Sequence, residues 1–208
     1  MADLLQVNVR VLDGSLGQKL PDMKPSDFVV PDTYSIERSV LTIYDRVKGK
    51  RIKRLTLICH GVGVLVHGDV EMETRKLVHL PGPPRSHASA AVCRIYGGYG
   101  LYLGKETLTL TNVSTFGQLK GWFTDSGLIE ICGCAAADTG PTAGGLSGDG
   151  PKLMRALAAA TGASVRAPVR LQTVNQNWYL GVADRTAFVG PTYLFKPTGQ
   201  QILDAACY

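Results

Sequence analysis

The sequence predicts an α/β domain with a largely parallel central sheet, and three observations carry that expectation. Two apolar runs, residues 55–59 and 127–132, are short enough for buried strands, and each is cut off by a glycine beside a reactive side chain. Helical patterns of apolar residues alternate with the strand-like runs. At 208 residues the chain is long enough for one sizeable core. No repeat and no linker composition divides it, so residues 1–208 are expected to form a single domain.

The elements follow in order. Residues 4–12 alternate apolar and polar, as a half-buried strand does. Asp13-Gly14 and the stretch from Gly17 to Pro31 read as turn and loop, punctuated by Pro21, Pro25 and Pro31. Asp32-Thr33 is placed to cap a helix through Ile36, Val40, Leu41, Tyr44 and Val47, which Gly49 ends. The strand 55–59 delivers His60-Gly61. Residues 62–97 read as hairpin and loop, a flap-like excursion holding His67, His79 and His87. Short strands are expected at 101–104 and 107–111, then a helix capped by Asn112 or Ser114 and running through Phe116, Leu119, Trp122 and Phe123. The next strand ends in Cys132-Gly133-Cys134. Residues 135–150 are nearly all small or polar, a loop of the kind that carries function on a rigid scaffold. Gly150-Pro151 opens a helix closed by Thr161-Gly162. A strand at 164–173 and a hairpin-like segment over 175–208 complete the chain.

Composition narrows the function classes. A hydrophobic fraction of 45% and a charged fraction of 19% are globular values, and no apolar window is long enough to cross a membrane as a helix. The N-terminus has no basic region followed by a long apolar core, so no signal peptide is expected. Five irregularly spaced cysteines, three in strand-like runs, point to reduced thiols and a cytoplasmic location, with delivery by a route that needs no signal peptide left open. The net charge is +5, and the densest cationic cluster is Lys48, Lys50, Arg51, Lys53 and Arg54. It falls where a helix ends and a strand begins, a place where cations complement the helix dipole. No aromatic residues interleave with it as a stacking platform requires, so nucleic acid is not an expected partner.

If strands 55–60 and 128–134 lie side by side and parallel, His60 and Cys134 emerge at one sheet edge, where open α/β sheets hold their sites. A thiol beside an imidazole is the minimum for a cysteine hydrolase. The motifs LICHG, GYGLYLG, IEICGCAAADTG and ATGASVRAP occur in that order, with His60 and Cys134 separated by 74 positions. In type and order this set resembles the caspase-like cysteine peptidases of clan CD, most closely the compact bacterial CHAT- and gingipain-like branch. The resemblance covers roughly residues 34–174. It implies a three-layer caspase-like sandwich, with helices flanking the sheet, and an endopeptidase that needs no cofactor or metal and acts on a protein or peptide. Carried over, Cys134 is the nucleophile, His60 the general acid–base, and the backbone N–H groups of Gly61 and Cys134 the oxyanion donors. Cys59, Cys93, Cys132 and Cys207 are read as packing.

The chain departs from the family in two respects. The Asp that metacaspases place two residues before the cysteine is Cys132 here, and the caspase Gln-Ala-Cys is missing. Neither specificity carries over. Asp138 and Asp149, on the loop after Cys134, are the candidates for a pocket accepting Arg or Lys, against their ordinary role as turn formers. Two other readings use the same residues. An inactive interaction domain would retain His60 and Cys134 as relics. A zinc site on Cys132, Cys134 and His60 lacks the usual knuckle spacing and a fourth ligand. The Gly-rich stretch 140–151 does not end in the Gly-Lys-Ser/Thr of a phosphate loop.

Overall fold

The structure, a computed structural model, describes residues 4–14, 24–67, 70–74, 94–140, 147–169 and 191–204. Its elements are β1 (Gln6–Asp13), β2 (Phe28–Val30), α1 (Ile36–Val47), β3 (Arg51–Ile58), β4 (Gly61–His67), β5 (Val70–Thr74), β6 (Arg94–Leu103), β7 (Glu106–Leu108), a 3-10 helix (Val113–Leu119), β8 (Phe123–Cys132), α2 (Gly150–Thr161), β9 (Ser164–Pro168), β10 (Thr192–Phe195) and β11 (Gln201–Asp204).

They form two sheets. The larger has seven strands in the order β11-β10-β9-β8-β3-β1-β2, and the smaller has four in the order β5-β4-β6-β7. Strands β2, β1, β3, β8 and β9 are mutually parallel. The hairpin β10–β11 then adds two antiparallel strands at the β9 edge. The fold is therefore mixed α/β around a mixed rather than wholly parallel sheet. The smaller sheet is antiparallel throughout and is spliced in between β3 and β8.

Both α-helices are amphipathic and bury one stripe. In α1, Ile36, Val40, Ile43 and Val47 recur at helical spacing and are buried. Its N-cap is Ser35, whose hydroxyl accepts from Arg38 N. The expected caps Asp32 and Thr33 lie instead in a turn closed by Tyr34 N donating to Pro31 O, which delays the helix start. Glu106 of β7 also reaches α1, its Oε2 accepting from Ile36 N at 2.8 Å. In α2, Asp149 caps the first turn, and Gly162 closes the last one at φ 73. The crossovers β2–α1–β3 and β8–α2–β9 both step in the same direction across the sheet, so right-handed connections put both helices on one face. The 3-10 helix packs between them.

One core fills that layer. Val9, Val11, Leu55, Leu57, Ile129, Ile131, Val165 and Ala167 point from the sheet into it and meet the buried stripes of α1 and α2. The opposite face is built differently. In register across it run Arg10, Thr56, Glu130 and Arg166. Glu130 is buried and is met by Arg166 at 3.3 Å and Arg54 at 3.7 Å, while Arg166 also holds Asp204 at 2.7 Å. Asp204 and Glu130 together raise the Arg166 pKa against the opposing effect of burial. One row nearer the C-terminal strand ends the face turns apolar, with Val29, Leu12, Ile58 and Cys132 aligned across four strands.

The predicted strand–helix order survives with adjustments. β2 was read as loop. The helix expected from Asn112 through Phe123 is a 3-10 helix that stops at Leu119, and Phe123 starts β8. The cationic cluster sits at the α1–β3 junction as expected, with Arg51 donating to Gly121 O at 2.7 Å. Most of the flap-like excursion, residues 170–190 of the C-terminal segment, Cys93 and Cys207 lie outside the described residues.

Candidate active site

β3 and β8 are adjacent and parallel, with Ile58 opposite Cys132. The pairing extends one step further, Cys59 N donating to Cys132 O at 3.4 Å. His60 and Cys134 therefore occupy equivalent positions, each two residues beyond a matched pair, where neighbouring strands leave the sheet. This is the C-terminal edge that open α/β sheets use for ligands.

The two exits are packed against one another through backbone. His60 leads directly into β4, and its carbonyl accepts from Tyr102 N of β6 at 2.8 Å. With Gly61 opposite Leu101, that bond makes Gly61 and Leu101 a narrow, non-hydrogen-bonded pair. The peptide N–H of Gly61 consequently points away from β6. Cys134 packs where a side chain of Gly61 would stand: a Cβ built there would overlap the Cys134 carbonyl oxygen and come within 3.3 Å of the Cys134 nitrogen. Only a residue without Cβ allows this contact.

Beyond Cys134 the chain turns sharply. Ala135 has φ 48, the one positive value among the described non-glycine residues. Such backbone is costly for an L-residue and persists only where surroundings enforce it. Here Ala137 N donates to Pro168 O at 2.9 Å, Asp138 N to Ala135 O at 3.1 Å, and Gly150 N to Asp138 O at 3.1 Å. Ala135, Ala136 and Ala137 are buried. Both aspartates of the loop have backbone partners. Asp138 Oδ2 accepts from Gly97 N at 2.9 Å, and Asp149 Oδ1 accepts from Lys152 N at 2.9 Å as the α2 cap. The stem of the loop closes through Gly140 N to Gly148 O at 2.7 Å.

Three cysteines sit near this edge, none of them in a disulfide. Burial pushes the Cys59 thiol well above its ordinary pKa, and Asp13, Cys132 and Cys134 add to that. Burial, reinforced by Glu130 and opposed by Arg54, pushes Cys132 up to about 12. Both hold their protons at neutral pH and are weak nucleophiles. Cys134 is half-buried and lies in the turn rather than in the strand. Cys132 ends β8 on the face that carries Glu130, so Cys132 and Cys134 are not successive residues on one strand face.

One charged residue at this edge was missed from the sequence. Asp13 ends β1, is fully buried, and accepts from Gly104 N at 3.1 Å. Its signal is the same as that of His60, a polar side chain terminating an apolar run. What the sequence does not show is that β1 lies beside β3. Among the described residues, no three His, Cys, Asp or Glu side chains are arranged to hold a metal ion. None of the described helices is long and apolar enough to cross a membrane. No protein-family model, no curated protein and no solved structure matches the chain.

Proposed function

We propose that this chain is a cysteine endopeptidase of the caspase-like kind, with Cys134 as nucleophile and His60 as general acid–base. The observation that carries the reading is the pair of matched exits from β3 and β8, with the Gly61 peptide lying on the Cys134 peptide. The architecture that goes with it is the three-layer caspase-like sandwich, and the mixed α/β sheet with its two helices is what supports it.

The chemistry runs in two halves. His60 takes the proton of the Cys134 thiol, and the sulfur attacks the scissile carbonyl carbon. The N–H groups of Gly61 and Cys134 receive the oxyanion, a position supported by the Gly61 N–H facing away from β6. The C–N bond breaks as the imidazolium protonates the departing amine, since an amide does not expel a bare amide anion. Water activated by neutral His60 then hydrolyses the thioester and regenerates the thiol. The reaction needs no cofactor, and it needs a reduced thiol, in keeping with a cytoplasmic setting and with Cys59, Cys132 and Cys134 lying outside any disulfide. Asp138 and Asp149 each already give one oxygen to a backbone N–H, so a basic substrate side chain would have to be met by the other.

The reading is tested with peptidyl acyloxymethyl ketones carrying Arg, Lys, Asp or Asn next to the reactive group, with the adduct located by mass spectrometry. A thioether on Cys134 that disappears in His60→Ala supports it, and preference for the Arg or Lys probe supports the aspartate pocket. Adducts elsewhere, or none under reducing conditions, favour a non-catalytic interaction domain built on the same fold.

A further inference from the structure

Strands β1 and β3 begin at the sheet edge opposite to His60 and Cys134, and α1, α2 and the 3-10 helix end there. Backbone contacts gather these ends. Arg51 N donates to the Leu5 carbonyl at 2.9 Å, Lys50 N to the Val47 carbonyl at 2.8 Å, and Ile52 N to the Trp122 carbonyl at 2.7 Å. The Arg51 guanidinium donates to Gly121 O at 2.7 Å, and Lys120 Cγ is 3.9 Å from the position a Gly162 Cβ would take. Lys48, Lys50, Arg51, Lys53 and Lys120 are thereby brought to one edge, with Lys48, Lys53 and Lys120 exposed.

The described carboxylates of this edge are Asp45 and Asp125, both exposed. Five cations against two carboxylates leave an excess of three, and the C-termini of α1 and α2 offset about one of it. Among the described residues no ion pair engages Lys48, Lys50, Lys53 or Lys120. Two neighbouring arginines are occupied elsewhere: Arg46 with the Pro25 and Asp27 carbonyls and the Phe28 ring, Arg54 with Glu130. Beside the cations the chain presents apolar surface. Leu4 is 50% exposed and Leu5 66%. Two apolar side chains bordered by cations match the boundary of a bilayer, where acyl chains take the former and anionic headgroups the latter. Single-stranded nucleic acid would need a free aromatic face, and Trp122 is half-buried and edge-on to Tyr44 at 4.9 Å.

We propose that this edge docks on a membrane surface rich in anionic phospholipid. Leu4 and Leu5 enter the acyl boundary, and Lys48, Lys50, Arg51, Lys53 and Lys120 meet the headgroup phosphates and carboxylates. The eight residues of β3 span about 25 Å, so His60 and Cys134 stay on the side facing away from the lipid. Docking does not depend on the peptidase reading.

The test is sedimentation of the full-length protein with vesicles of phosphatidylcholine, either alone or with about a third phosphatidylserine. Binding is expected to the anionic vesicles only, and it should fall steeply as salt is raised from about 0.05 to about 0.5 M. Each neutralised lysine should weaken it about fivefold, so the triple variant Lys48→Gln, Lys50→Gln, Lys53→Gln should lose on the order of 10²-fold. The double variant Leu4→Ser, Leu5→Ser should lose about tenfold and keep the salt dependence. Equal binding to the two kinds of vesicle, or none to the anionic ones at low salt, overturns the proposal on the parent protein alone, whether or not the variants fold. A folded lysine variant that sediments like the parent overturns it as well. So does a folded leucine variant that sediments like the parent; if the parent also binds a DNA duplex, the edge is then a nucleic-acid surface.

Discussion

Cys132 and Cys134 are two residues apart and sit in different settings. Cys132 closes a strand beside buried Glu130, which together with burial holds its thiol up to about 12. Cys134 lies past the strand, in a turn whose next residue is held at φ 48. A thiol-directed alkylating agent at neutral pH is therefore expected to label Cys134 before Cys59 or Cys132, and peptide mapping over time reads the order. Initial labelling of Cys59 or Cys132 would remove Cys134 as the nucleophile. Substitution separates the two in the same way. Cys134→Ala should abolish cleavage and leave the melting temperature nearly unchanged, whereas Cys132→Ala should cost about 1 kcal/mol of stability and spare the chemistry. Paired thermal melts and peptide-library assays decide it. The buried ion pairs give a third expectation. Arg166→Ala leaves Glu130 with Arg54 at 3.7 Å as its charged partner and deprives Asp204 of Arg166. Breaking a buried pair from one side costs roughly 3 kcal/mol or more, and a urea titration should register a loss of that order.

Among the elements, the described part of the loop after Cys134 is held by close backbone approach as well as by the Asp138 and Asp149 carboxylates. Gly98 has φ 85, and a Cβ there would overlap the Asp138 carbonyl oxygen. Gly49 has a similar φ of 78 with nothing within 4 Å of its Cβ position. Gly49→Ala should therefore show only the backbone penalty, about 1–2 kcal/mol. Gly98→Ala should add an overpacking cost of about 1–3 kcal/mol and displace the Cys134 turn. Equal losses in chemical denaturation would mean that the loop yields freely. This dependence explains what was legible in the sequence. β1, β3, β8 and α2 announce themselves as apolar runs or helical stripes, and His60 and Cys134 as their abrupt ends. β2 is three residues after a proline-rich stretch, too short to carry a period. The segment 113–119 has apolar residues at helical spacing. Gly117, Gly121 and the β-branched Val113 and Thr115 weaken an α-helix there, and the chain settles for 3-10 geometry. Asp13 and Gly97 were illegible because their roles depend on which strands become neighbours, and local pattern does not encode that.

At the scale of the whole molecule, the same thiols couple stability to alkaline pH. Cys59 and Cys132 have folded pKa values raised above the ordinary 9.0, so the folded state keeps protons that the unfolded chain releases. The sign follows from linkage: their contribution is fully present below about pH 9, falls as pH rises beyond it, and for Cys132 levels off near its folded value of about 12. Arg166 does not share in this loss. Its own pKa is raised further above its already high ordinary value, and its pairs with Asp204 and Glu130 persist over the same window. The thermal midpoint is therefore expected to decline progressively from pH 9 upward. Cys132→Ala removes one of the two titrations. That variant should start from a lower midpoint at pH 7 and lose less of it between pH 9 and 11 than the parent protein does. Parallel curves for the two proteins over that range would show that Cys132 does not carry the effect. Cys59→Ala is then the matching measurement for the other raised thiol among the described residues.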